Sequence, residues 1–287
     1  MNNNLFKDLK YKVFQSGNPV FLYIGINILI FVVFTLINIP FFLSGKSGIV
    51  YDALIREYFG FPASLSKLPF RFYTFITYQF FHDGIWHVLF NMLWLYWLGN
   101  IFLDFLKPRQ FHFVYLAGGI AGALFYLLAY NVFPVFDMQL HTATVIGSSA
   151  AVMAVIVATA TLLPDYSMRL MFFGDVKLKY LALAYIVLDL IGIASTNAGG
   201  SFAHIGGAVL GFTYIKLLKS GTDWSSIFKR KPKLRVVKNE SGKQTTRKQT
   251  ENVNQEEIDR ILDKISKTGY DKLNKQEKET LFKASKN

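Results

Sequence analysis

Apolar positions run almost unbroken from Pro19 to Leu43, and five more apolar stretches follow near 84–104, 110–133, 148–163, 178–196 and 201–218. At roughly 1.5 Å of rise per residue, a helix over the first stretch is long enough to cross a hydrocarbon layer. That stretch is also longer than the apolar core of a cleaved signal peptide and is not followed by a small-residue cleavage site, so it reads as a retained span. The pattern predicts an all-α polytopic membrane protein, a bundle of six transmembrane helices. Pro108 falls between the second and third stretches, Pro134 after the third and Pro164 after the fourth, where a missing N–H breaks no interior bond. The fourth and sixth stretches are short for lipid-facing spans, which suits helices enclosed by their neighbours.

The basic residues of the links set the orientation. Lys107 and Arg109 join the second and third stretches, Arg169, Lys177 and Lys179 lie between the fourth and fifth, and the N-terminus and the tail are basic as well. Those sides are cytoplasmic. The links at 133–144 and 195–200 carry no Lys or Arg and belong outside, and parity places the long 44–83 link outside with them, despite Lys46, Arg56, Lys67 and Arg71. This orientation puts both termini in the cytoplasm of a cell with the protein in its inner membrane.

After Leu218 the pattern changes. The expected division is a membrane domain at 1–218, a basic flexible linker at 219–255 and a small helical tail at 256–287. In the tail, Ile258, Ile261, Leu262 and Ile265 recur at helical spacing, Gly269 interrupts them, and Leu273, Leu281 and Phe282 resume, the pattern of a helical hairpin. Composition agrees with a membrane class: 52% of residues are hydrophobic, 16% aromatic with 28 Phe, and only 17% charged. The net charge of +12 gathers in runs such as "FKRKPKLR" at 228–235, which suits anionic headgroups or a cytoplasmic protein rather than nucleic acid. There is no cysteine, so disulfides and thiolate metal sites are excluded.

Alternating topology makes the second, fourth and sixth helices run in the same direction. His87 and Asn91 then lie in the first two turns of the second, Ser148 and Ser149 open the fourth, and His204 lies in the first turn of the sixth. Polar groups distant in sequence thus share one depth below the outer surface, which predicts a hydrated pocket. His87 and Asn91 share a helix face. Gly207 and Gly211 form a small-xxx-small seam that brings a neighbouring backbone close. If that neighbour is the fourth helix, with Gly147, Ala150 and Ala151, a serine and an imidazole come within reach. An imidazole can take the hydroxyl proton during attack and return it to the leaving amine. The backbone N–H of Ser149 and the side chains of Asn91 and His87 are natural oxyanion donors, each worth about 3 kcal/mol if well placed.

In that order and on those three helices, "HDGIWHVLFN" (82–91), "GSSA" (147–150) and "AHIGGAVLG" (203–211) resemble the rhomboid family of intramembrane serine proteases. The resemblance covers most of 19–218. It implies Ser149 as nucleophile, His204 as general base and acid, and His87 with Asn91 as oxyanion donors, with Gly147 shaping the turn and His82 structural near the cavity mouth. It also implies cleavage of transmembrane protein substrates in the lipid bilayer by a Ser–His dyad, with no cofactor, no metal and no catalytic carboxylate, in a chain that works as a monomer. The tail looks like one attached to rhomboids of Bacteroidetes. Three positions depart from the family pattern: Ala150 stands where a glycine is usual, Met153 where an aromatic often supports the histidine, and Tyr73 and Thr74 align with a common Trp–Arg pair, with Arg71 close by.

Other readings meet specific obstacles. His82 and His87 are five residues apart, which on a helix turns them away from one another, and no His-Glu-x-x-His motif exists for a metal. Asp189 is the single deep carboxylate, at a different depth from Asp104, so an aspartyl pair is not formed, and Asp189 is expected to make a structural hydrogen bond near the cavity. His112 and His141 read as packing or headgroup-level residues. The competing function is a non-catalytic rhomboid-like protein that binds or retains membrane clients. The fifth helix, with Gly192 near its outer end, and the link at 197–200 are the expected gate.

Overall fold

A computed structural model describes residues 5–46, 48–170, 174–194, 197–228 and 255–285. The chain divides into two compact units, Met1–Arg230 and Lys231–Asn287. The first opens with α1 (Leu5–Phe14), a helix the apolar pattern did not indicate, followed by α2 (Pro19–Leu43), which coincides with the first apolar stretch. Asn18 caps α2 by accepting a hydrogen bond from the Val20 amide at 2.8 Å, and Pro19 occupies the first turn, where its ring is preorganised for a helix. A short α3 (Thr74–Thr77) precedes α4 (Ile85–Phe105) and α5 (Pro108–Val132), and then come α6 (Ser149–Leu162), α7 (Leu178–Gly192) and α8 (Ala198–Lys219). Six of these correspond to the six apolar stretches.

Four helices, α2, α4, α5 and α8, are long and apolar enough to cross a membrane. The short ones are α6 with 14 residues and α7 with 15. The sixth stretch, expected to be short, gives the 22-residue α8, because Ala198–Gly200 form its first turn instead of a link. The link expected at 197–200 is therefore helical from Ala198 on. This earlier start also puts His204 in the second turn rather than the first.

α6 lies at the centre. Ala150 through Ala160 are all buried, and small side chains let two neighbours approach to backbone distance. On α8, a Cβ at Gly207 would strike the Ala150 carbonyl oxygen and one at Gly211 the Ala154 carbonyl oxygen. On α5, a Cβ at Gly122 would strike the Ala150 methyl and one at Gly118 the Ala154 methyl. Apolar burial gives little drive between helices already in lipid, so dispersion across such close contacts is what holds them. The lower core packs Leu95, Leu98 and Phe102 of α4 with Phe111 and Tyr115 of α5 around the same helix.

The long 44–83 link is built, not loose. A π-type helix spans Ile49–Phe59 and a 3-10 turn Leu65–Phe70. The buried Arg71 guanidinium donates to the carbonyls of Arg56 and Gly60, both at 2.9 Å, and lies 3.4 Å from the Glu57 carboxylate. Strands β1 (Phe61–Pro62) and β2 (Thr144–Val145) pair antiparallel, tying this link to the residues just before Ser149. Between α6 and α7, β3 (Ser167–Leu170) and β4 (Gly174–Lys177) form an antiparallel hairpin that the sequence reading left as a link. At its base the Lys179 and Lys177 ammoniums hydrogen-bond Asp165 and hold its carboxyl below the usual range. Beyond α8, Asp223 accepts from Tyr214 Oη and Ser225 and pairs with Arg109, fastening the end of this unit to α5.

In the second unit α9 (Gln255–Thr268) and α10 (Lys275–Ala284) are joined through Gly269, whose φ of 86° few other residues adopt. Asn274 and Glu277 form a capping box on α10, Lys264 pairs with Glu277 at 2.8 Å, and Ile261 and Leu273 are buried. Most of the expected linker, residues 229–254, lies outside the described residues.

Overpacking the central contacts costs about 1–3 kcal/mol or more. Gly211→Val is therefore expected to lower the thermal unfolding midpoint in detergent by about 2–10 °C. Gly84→Ala, at a glycine with open space around its Cβ position, should leave the midpoint unchanged. Equal midpoints for the two variants would contradict this packing.

Candidate active site

A cavity of about 740 Å³ collects residues from opposite ends of alternate helices. His87 and Asn91 come from the first turns of α4, Ser149 from the start of α6 and His204 from α8, while Tyr126 and Tyr130 come from the end of α5 and Tyr185 and Asp189 from the end of α7. Neighbouring helices thus present opposite termini to one depth, as the alternating topology requires. Of the five polar residues expected at this depth, His87, Asn91, Ser149 and His204 line this one space and Ser148 does not.

The turn before α6 sets the serines. Gly147 has φ 129°, and its amide donates to the Tyr78 carbonyl at 2.9 Å. A Cβ there would sit 2.9 Å from the His87 ring and 3.6 Å from Ser149 Oγ, so ring and hydroxyl flank one point and only glycine leaves it open. The two hydroxyls then part. Ser148 is fully buried and its Oγ lies 3.0 Å from His82 Nε2, whereas Ser149 faces the cavity and has no side-chain hydrogen bond among the described residues.

His204 does not stand alone. Its Nδ1 lies 2.7 Å from Asp189 Oδ1, with the two side chains 22% and 13% exposed. The expected structural hydrogen bond of Asp189 is therefore made to the imidazole itself, which departs from a site with no carboxylate beside the histidine. A carboxylate only accepts, so in the neutral ring Nδ1 carries the proton and Nε2 has the free lone pair. Among the described residues Nε2 has no hydrogen-bond partner.

His82 and His87 are not turned apart. The helix starts only at Ile85, after Gly84, so His82 lies outside it and the two rings meet edge to face with centroids 5.0 Å apart. Among the described residues no group of three or more His, Asp or Glu is placed to hold a metal. Asn91, which lines the cavity, donates one amide N–H to the His87 carbonyl at 2.8 Å, and its second amide N–H has no partner among the described residues. Met153 lies on the cavity wall, and Gly207 and Gly211 lie behind it against α6. His112 packs as a helix tie, its Nδ1 3.1 Å from Tyr23 Oη.

Three features were not singled out in the sequence. Trp86, Phe90 and Trp94 recur at one-turn spacing on α4 and line the cavity, and Trp94 meets Tyr185 of α7 edge to face with ring centroids 5.2 Å apart. Their four-residue period was visible, but it reads equally as a lipid-facing stripe. Arg56 and Asp83 pair at 2.9 Å on the rim. Arg71 anchors the 44–83 link from inside, two positions before the place where the family pattern carries its arginine-bearing pair.

A rhomboid-domain family model matches residues 69–220, more than half of the chain. A second model, a family of unknown function (DUF6576), matches residues 247–287. The chain is similar to "RHOMBOID-like protein 12, mitochondrial" of Arabidopsis thaliana, 31% identical over 150 residues, which cover 49% of this chain and 44% of that protein.

Removing one partner of the buried Ser148–His82 bond leaves a polar group unsatisfied, at about 1–3 kcal/mol. Ser148→Ala is expected to lower the unfolding midpoint measurably, and Ser149→Ala to leave it nearly unchanged. The reverse order in a thermal melt would show that the wrong hydroxyl has been placed inside.

Proposed function

The chain belongs to the rhomboid family, and from that premise we propose that it is an intramembrane serine endopeptidase that cleaves transmembrane segments of membrane proteins. The observation that carries this reading is a free hydroxyl, Ser149, in one cavity with an imidazole whose Nδ1 is occupied and whose Nε2 is open. Ser149 Oγ attacks the scissile carbonyl carbon while its proton passes to His204 Nε2, and the same proton goes to the leaving amine. Water, deprotonated by His204, then releases the acyl group. The oxyanion is met by the Ser149 backbone N–H at the positive end of α6, by the free N–H of Asn91 and by His87. The substrate approaches from the lipid and meets the aromatic wall of α4, and water comes from the outer side.

As a multi-pass membrane protein with basic inner links, it sits in the inner membrane with both termini in the cytoplasm. The tail suits anionic lipid or a cytoplasmic protein, and no cofactor is needed. The non-catalytic alternative, retention of membrane clients, agrees with the name "RHOMBOID-like" that the plant relative carries, but it leaves the open Ser149 hydroxyl without a use.

Cleavage of a model transmembrane substrate by the reconstituted protein separates the two. Ser149→Ala and His204→Ala should each abolish it, Ser148→Ala should retain it, and Asn91→Ala or His87→Ala should lower kcat by about 10²–10³. Cleavage by the Ser149→Ala variant would reassign the nucleophile. A wild-type protein that binds the substrate without cutting it would establish the client-binding reading instead.

A further inference from the structure

We propose that Asp189 is the positioning residue of the site, so that three helices supply a Ser149–His204–Asp189 relay from α6, α8 and α7. The inference rests on the proteolytic reading above. Its ground is the 2.7 Å contact between Asp189 Oδ1 and His204 Nδ1, both largely withdrawn from solvent. Asp189 is the sole acidic residue of α7, whose other side chains near it, Leu188, Leu190 and Ile191, are exposed apolar groups. A carboxylate in such a helix is costly unless a partner offsets the cost, and here the partner is an imidazole that lines the same cavity as Ser149.

The pairing decides the ring's tautomer. Since the carboxylate can only accept, the neutral imidazole donates from Nδ1 and presents the Nε2 lone pair to the cavity, the form needed to take the Ser149 proton. When Nε2 receives that proton the ring becomes an imidazolium, still donating from Nδ1, and the neighbouring carboxylate offsets the new charge. The proton then leaves from Nε2 to the amine, and Asp189 stays ionised throughout. Asp189 touches no reacting atom, and its effect is confined to the state and orientation of His204.

A plain tie between α7 and α8 would show as lost stability. A positioning role shows in kcat. Asp189→Asn keeps the shape but can donate an amide N–H to Nδ1, which forces the proton onto Nε2. In the reconstituted full-length protein this variant is expected to lower kcat by about 10²–10⁴, with KM within about twofold and the thermal midpoint within a few degrees. Asp189→Glu, which keeps the carboxylate, should recover part of the loss that Asp189→Asn and Asp189→Ala share. A kcat for Asp189→Asn within about threefold of wild type would overturn the inference, as would equal loss in the Asn and Glu variants accompanied by a collapsed midpoint. If the Asn variant does not fold, ¹⁵N shifts of His204 in the wild-type protein take its place: a proton on Nδ1 in the neutral ring supports the proposal, and one on Nε2 refutes it. A wild-type protein without cleavage would fell the parent reading, whereas cleavage unaffected by Asp189→Asn would fell only this one.

Discussion

The bundle is organised by the close contact of α5 and α8 with α6, against its alanine methyls on one side and its main chain on the other. Gly118 and Gly122 on one side and Gly207 and Gly211 on the other leave no room for a Cβ, so a helix of 14 residues is held tightly inside the bundle from both sides. Its length follows from that position. An enclosed helix does not need to reach both headgroup layers, and α6 can begin well below one of them. Ser149 stands at that beginning. The place of the hydroxyl is thus a consequence of packing that involves no polar side chain of the site.

The same packing settles which polar groups meet. Fixing Gly207 against Ala150 places His204, one turn earlier on α8, near the α6 N-terminus, while β1–β2 pairing and the Gly147 amide hold the preceding turn to the 44–83 link. The link in turn is held by Arg71. Ser148 and Ser149 are adjacent in sequence yet differ in environment, because one points into the His82 side of the bundle and the other into the cavity. A buried hydroxyl with a partner stabilises the fold, and an open one on a cavity wall is available for chemistry.

The fold was largely legible because six apolar stretches leave few alternatives, and the Gly207–Gly211 seam named the contact that matters. Gly199 and Gly200 misled in the opposite way: they read as loop punctuation, but they begin α8, where a Cβ at Gly199 would lie 2.8 Å from Tyr126. Gly118 and Gly122 passed unnoticed in a stretch rich in small residues. The β3–β4 hairpin was invisible since its four-residue strands carry too few alternations to register as a period. His82 and His87 were wrongly separated because helical spacing was extended past Gly84, ahead of the first turn.

The polar constellation was legible as residue types on three segments of like direction, and the Asp189–His204 contact was not. Nothing in a sequence links a carboxylate near the end of one span to an imidazole in the next except the cost of burying a charge, and that cost says only that a partner exists. The account stands on Ser149 being the open, reactive hydroxyl at the head of α6. Treatment of the folded protein with a fluorophosphonate, followed by fragmentation of the labelled peptide, measures this directly. The account requires the adduct on Ser149 and none on Ser148, and labelling of Ser148, or of neither, would contradict it.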